Sequence, residues 1–245
     1  MAVYPLPRWL LVVLLLPVPG QADEPLRCGV ATGFPPFQYV LDGQPAGLDV
    51  AVIHALAREL NHPVEIVQRP WEEVLRLLRK GEIECVAGME VTEERSRYSR
   101  FTVPYYSRQA VIFVRADNAK VIDERSLEWS MVSGDHDSEI ERRIQSSTGD
   151  GSHPRFFPVA SKRDAMELLQ RGLVEASIMP REVGFYLAAE LGLKVRVVGR
   201  PGKASPVVIG VARDLPQLHL SIERGLVSLI ERGEIKRLSK EAFLR

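Results

Sequence analysis

LRCGVATGFPPFQYVLDGQPAGLDVAVIHALARELNHPVEIVQRPWEEVLRLLRKGEIECVAG, residues 26–88, decides the fold class. Residues 26–30 are a short run that reads as a buried strand. A Gly/Pro-rich loop follows, Gly33-Phe34-Pro35-Pro36-Phe37. Asp49 is placed to cap a helix running to about Leu60, with Ile53, Leu56, Ala57 and Leu60 spaced i, i+3, i+4, i+7. Asn61 and Pro63 stop it. Residues 64–67 read as a strand, 71–80 as a second helix closed by Gly81, and 83–87 as a third strand. Strand, helix, strand, helix, strand in a row implies a parallel sheet covered by helices.

The same alternation continues. Strands are expected at 110–114, 129–133, 156–159, 174–179, 195–198 and 207–212. Helices are expected at 138–144, 161–171, 181–191, 215–231 and 235–243. Ser161 and Asp164 suggest a capping pattern. Residues 146–153 are polar, rich in Gly and Ser, and without periodicity. Two α/β units are therefore expected.

Composition narrows the function. The 32 Lys+Arg equal the 32 Asp+Glu, so there is no basic excess to neutralise nucleic-acid phosphates, and no nucleic-acid partner is expected. A 45% hydrophobic share is that of a globular protein and excludes disorder. Residues 1–22 carry one positive charge, an unbroken apolar run at 9–16 and small residues before Asp23, the pattern of a secretory signal peptide. The run is shorter than the roughly 20 residues a membrane span needs. An exported, periplasmic protein follows. Export permits a disulfide between Cys28 and Cys85. Two buried thiols are the alternative, since a bond between neighbouring parallel strands is geometrically demanding.

No phosphate loop, GxGxxG, GxSxG or HExxH is present. No cofactor or metal is expected. Asp135-x-Asp137-x-Glu139 resembles the start of a calcium loop, but Ile140 and Ser146 stand where its Gly and Glu belong.

Three segments in order carry a resemblance. They are residues 26–30 with Phe34-Pro35-Pro36-Phe37 and Gly47-Leu48-Asp49-Val50; residues 81–95, which include Gly88-Met89-Glu90-Val91-Thr92-Glu93-Glu94-Arg95; and Phe101-Thr102-Val103-Pro104-Tyr105-Tyr106. Together they resemble the extracellular solute-binding proteins of family 3, the polar amino-acid-binding class of periplasmic binding proteins. The resemblance implies a type II fold of two α/β lobes, each a mostly parallel sheet flanked by helices. Lobe one would comprise 23–107 plus 207–245 and lobe two 108–206, with hinge crossings near 106–109 and 205–207. It implies a small-molecule solute as ligand, an ABC-type inner-membrane permease as partner, and hinge closure around the solute. A monomer is the default.

Site residues follow from the same resemblance. Phe34 and Trp71 match rings that flank the ligand, where aromatic faces offer apolar contact and attract cations. Arg95 matches the arginine that grips a ligand carboxylate through its guanidinium fork. Gly88 belongs to the same motif. Glu90 stands where the family places a small hydroxyl residue. Ser133-Gly134-Asp135-His136-Asp137 replaces a more open glycine loop, making Asp135 and His136 ligand-facing candidates. Met179-Pro180 stands where an Asp would hold the ligand's amino group, and Glu182 follows two residues later. Glu90, Asp135 and Asp137 would favour a cationic solute; the alternative is that these acids face solvent or, for Asp137 above all, cap the helix starting near Ser138. Solute capture for transport is thus the leading function. An enzyme on the same scaffold, like the periplasmic cyclohexadienyl dehydratases and with Glu90 as general acid, is one alternative. An accessory or sensory protein with a degenerate site is the other.

Overall fold

The computed structural model describes residues 24–134, 140, 144, 146, 153–157 and 159–243. The signal-peptide expectation for 1–22 and the ligand candidates Asp135 and His136 lie outside them.

The first unit opens with β1 (Leu26–Ala31), whose side chains are almost all buried. The loop after it forms a small antiparallel sheet, β2 (Gly33–Phe34), β3 (Gln38–Leu41) and β4 (Gln44–Ala46), not foreseen as strands because they are so short. Helix α1 (Leu48–Leu60) buries Leu48, Val52, Ile53 and Leu56 against the sheet. Ala57 and Leu60, expected on that stripe, are half-buried. Asn61 ends it in the left-handed conformation, as its short amide side chain allows. The expected cap is corrected: Gly47 occupies the N-cap position, and Asp49 lies inside the first turn with its side chain fully buried. Strand β5 (Val64–Arg69), α2 (Trp71–Arg79) and β6 (Cys85–Glu90) complete the alternation. Helix α2 comes so close to β1 that a Cβ on Gly29 would lie 2.6 Å from Val74 and 2.7 Å from Ile83.

A short helix α3 (Glu93–Ser96) and strand β7 (Ser99–Phe101) lead into the long β8 (Tyr106–Arg115). The second unit then holds β9 (Met131–Gly134), β10 (Arg155–Phe157), α4 (Lys162–Gln170), β11 (Ala176–Pro180), α5 (Arg181–Glu190) and β12 (Val195–Val198). Trp129, expected to begin a strand, sits exposed at positive φ, and pairing starts at Met131. Most of the helix expected at 138–144 lies outside the described residues; Ile140 and Ile144 are helical and fully buried. Ser161 caps α4 by accepting from the Asp164 N–H at 3.1 Å. Strand β13 (Ala204–Ala212) returns to the first unit, and α6 (Pro216–Glu231) and α7 (Glu234–Phe243) close the chain.

The sheet order is β5-β1-β6-β13 in one lobe and β10-β9-β11-β8-β12 in the other. In each lobe the core pairs are parallel, and the strand arriving from the other lobe is antiparallel. The parallel expectation is thus right for the strands joined by helical crossovers and not for β8 and β13. These two strands join the lobes. Tyr106–Gln109 pairs antiparallel with Ala204–Val207 before each strand continues into its own sheet.

Cys28 and Cys85 are direct register partners on β1 and β6 and form a disulfide, with Cα atoms 4.7 Å apart. That separation lies within the ordinary range for a disulfide. It resolves the alternative left open by the sequence.

Candidate functional site

Strand β6 organises the site. Gly88 and Glu90 both lie at the C-terminal end of the strand. Two clusters form around them.

The first gathers Trp71, Glu90 and Arg95. Thr92 caps α3 by accepting from the Arg95 N–H at 3.2 Å, which sets the start of the short helix that carries Arg95. The Arg95 guanidinium donates to the Glu90 backbone carbonyl at 2.9 Å and lies 5.4 Å from the Trp71 ring centroid. That contact is a cation–π arrangement. The nearby acids are otherwise engaged: Glu94 pairs with Arg79 and Glu93 with Arg97. Among the described residues Arg95 has no carboxylate partner. It partners the backbone carbonyl of Glu90 instead.

The second cluster gathers Phe34, Gly88 and Arg108, a residue not singled out from the sequence. Arg108 is only 7% exposed. Its guanidinium lies 4.6 Å from the Phe34 ring, 5.0 Å from Phe37 and 5.3 Å from Tyr106. It donates to the Gly88 carbonyl at 3.0 Å and to the Tyr106 hydroxyl at 2.6 Å. Below it lies Asp49, 3.7 Å away and fully buried. The Asp49 carboxylate accepts from Tyr105 at 2.5 Å, Gln38 at 2.5 Å and Tyr106 at 3.2 Å. Burial raises the Asp49 carboxyl above its ordinary value, against Arg108 and the three hydrogen bonds, which lower it. Burial pulls the Arg108 guanidinium down, but Tyr106 and Asp49 outweigh it and leave it raised. The Tyr105 and Tyr106 hydroxyls are pushed well up by burial and by Asp49. Gly88 closes the network from above. Its N–H donates to Tyr105 at 2.9 Å, its φ is +73°, and a Cβ there would collide with Gln38 and Asp49. Arg108 carried no local signal: β8 also holds Ser107, Gln109 and Arg115, and apart from Tyr106 its polar partners Gly88 and Asp49 lie 20 and 59 residues away in sequence.

Lobe two faces these clusters with α4 and α5. Helix α4 packs against β2, the strand of Phe34. Its position is set by Ser133 and Ser177: the Ser177 hydroxyl donates to the Ala165 carbonyl at 2.9 Å and accepts from the Ser133 hydroxyl at 2.7 Å. Burial pulls the Lys162 ammonium, at the start of α4, down to about 8, while the Glu90 carboxylate across the cleft pushes it up. On α5, Tyr186 meets Tyr39 of lobe one with ring centroids 5.6 Å apart. Among the described residues, no group of three or more His, Cys, Asp or Glu is placed to hold a metal ion. Nor is any helix among them long and apolar enough to cross a membrane.

The site thus brings Trp71, Glu90 and Arg95 together, and Phe34 with Gly88 through Arg108. Known proteins share the fold. The chain is 23% identical over 224 residues to a probable amino-acid-binding protein, YxeM, of Bacillus subtilis, covering 90% of this chain and 84% of that one. It is 28% identical over 160 residues to ABC transporter arginine-binding protein 1 of Escherichia coli, covering 64% and 63%. The ancestral amino-acid-binding protein AncCDT-1, a precursor of cyclohexadienyl dehydratase, superposes with a TM-score of 0.75 at 23% identity, covering 89% of this chain and 95% of that structure. The family model of the bacterial extracellular solute-binding proteins matches residues 26–245, nearly everything beyond the leader-like segment. With two lobes joined by paired crossing strands and a family model that matches residues 26–245, the chain belongs to the bacterial extracellular solute-binding proteins, family 3.

Proposed function

We propose that the protein captures a small amino-acid-like solute between its lobes in the periplasm and presents it to an ABC-type permease. The observation that carries this reading is Arg95. Its guanidinium is turned to a backbone carbonyl and the Trp71 ring, while Glu93 and Glu94 are bound elsewhere. A fork of donors without a carboxylate partner among the described residues suits a carboxylate from outside the protein. Relatives named as amino-acid-binding and arginine-binding support the solute class.

Phe34, Gly88 and Glu90 complete the lobe-one wall in this reading, with Asp135 and His136, which follow β9 in the sequence, contributed from lobe two. The rigid bodies are residues 23–107 with 207–245 and residues 108–206, turning about the paired strands at 106–109 and 204–207. A solute that touches both lobes supplies the energy for closure. Signal-peptide removal near Asp23 and a monomeric state belong to the same reading.

The test is thermal unfolding of refolded, ligand-free protein against a panel of amino acids. A ligand at 100 times its dissociation constant adds about 2.7 kcal/mol. The expected result is an upward shift with at least one amino acid that Arg95→Ala abolishes. No shift with any amino acid, or a shift untouched by Arg95→Ala, is the outcome that removes this reading. Turnover of arogenate or prephenate in the same preparation is the outcome that turns it into an enzyme.

A further inference from the structure

The arginine beneath Phe34 bears on which solutes the cleft admits. Arg108 lies on β8 where the chain crosses between the lobes, and it is buried. A guanidinium keeps its proton at any physiological pH, so this is a permanent charge. It is seated on aromatic rings, 4.6 Å from the Phe34 centroid, 5.0 Å from Phe37 and 5.3 Å from Tyr106. The Gly88 carbonyl and the Tyr106 hydroxyl hold it there. Asp49 lies 3.7 Å away, but its carboxylate already accepts from Tyr105, Tyr106 and Gln38. Of the buried pair, it is the cation that rests on the rings.

Phe34 is only half-buried, and α4 of lobe two packs against its strand. An aromatic face attracts a cation through the ring quadrupole. That attraction is short-ranged, whereas repulsion between two like charges falls only with the first power of their distance. A second cation against Phe34 would meet a ring already engaged by Arg108 and would be repelled by Arg108 from across it. An uncharged group meets no such repulsion and keeps the apolar contact. Glu90, the other feature that would draw a cation, is within electrostatic reach of the Lys162 ammonium at the start of α4. The Arg95 guanidinium adds a further positive charge at the Glu90 backbone.

We infer that Arg108, acting through the Phe34 ring, is a specificity-determining residue that excludes solutes with a positively charged side chain and leaves the cleft to amino acids whose side chains are uncharged or acidic. This rests on the solute-binding reading, which sets Phe34 against the solute, and narrows it. Arg108 itself need not touch the solute; its charge acts from behind the ring.

The test is calorimetric titration of ligand-free protein with arginine against citrulline and with ornithine against 5-hydroxynorvaline, together with glutamine and glutamate. Each pair matches in length and differs in the charge of the terminal group. In the wild type, an uncharged or acidic probe should bind tightest, and arginine and ornithine should each bind about tenfold or more weakly than it. Asp49→Asn with Arg108→Met removes the buried pair and leaves no lone charge. In that variant the gap between the tightest non-cationic probe and the cationic ones should narrow by about fivefold or more. Asp49→Asn with Arg108→Gln, which keeps a donor for the Gly88 carbonyl, serves if the first variant does not fold. Structural damage alone weakens every probe and leaves the gap as it was, so an unchanged gap in a folded variant overturns the inference. A wild type that binds arginine or ornithine as tightly as any other probe overturns it whatever the variants do, and leaves the solute-binding reading standing. If the gap narrows in Lys162→Met and in neither double variant, the discrimination belongs to Lys162 and the assignment to Arg108 falls. If the wild type binds none of the probes, the solute-binding reading fails with it.

Discussion

At the residue scale, the Asp49–Arg108 pair carries the largest electrostatic stake. Both side chains are buried, Asp49 held by Tyr105 and Tyr106 and Arg108 by Tyr106, as well as by each other. Removing one partner of a buried pair leaves an uncompensated charge and costs about 3–5 kcal/mol. Arg108→Met should lose that much in urea unfolding at pH 7, and Asp49→Asn with Arg108→Met should lose markedly less. A double variant as unstable as the single one would show that packing, not charge, is at stake. Lys162 makes a prediction about pH. Its ammonium sits near 8 in the fold, against 10.5 ordinarily, because burial disfavours the charge. Between about 8 and 10.5 the unfolded chain therefore holds a proton that the folded one has released. Stability from this group rises with pH across that window. Ligand-free Lys162→Met should accordingly melt above the wild type at pH 7, and the gap should narrow as pH approaches 10. Asp49 also shows the limit of reading the sequence. Its position beside Leu48 and Val50 fits a helix cap, and only the tyrosines 56 and 57 residues away make it a buried network centre.

At the element scale, β1 and β6 are joined twice, by ladder pairing and by the disulfide across Cys28 and Cys85. The bond closes a loop with a sequence separation of 57. Chain-entropy arithmetic for that separation gives about 4 kcal/mol. Cys28→Ala with Cys85→Ala should lower the urea-unfolding free energy by roughly that amount; a loss below about 1 kcal/mol would contradict it. Strand β6 makes a second prediction through Gly88. Its φ of +73° disfavours any side chain, and a Cβ there meets Gln38 and Asp49. Gly88→Ala should destabilise by about 3 kcal/mol or more, read in the same unfolding assay. The helices α1, α2, α4, α5 and α6 were legible because each presents a stripe of apolar residues and a short-range stop signal, such as Asn61 or Gly81. Strands β2, β3, β4 and β7 were not, since two to four residues hold too few positions for a period to declare itself.

At the scale of the whole molecule, the two sheets meet through β8 and β13, and the lobes touch where Tyr39 meets Tyr186. If that contact helps hold the lobes together, Tyr186→Ala should enlarge the radius of gyration of the ligand-free protein in small-angle scattering. An unchanged radius would show that the crossing strands alone set the separation. The sequence by itself determined the alternation of strands and helices, the two-unit organisation and the motif order that marks the family, because apolar periodicity and turn residues act over a few neighbours. Tertiary structure alone decided that β8 and β13 run antiparallel to their parallel neighbours, that Cys28 faces Cys85, and that Arg108 lies beneath Phe34. Those outcomes depend on which surfaces meet after residues tens of positions apart are packed together, and on the cost of burying charge there, neither of which a local pattern encodes.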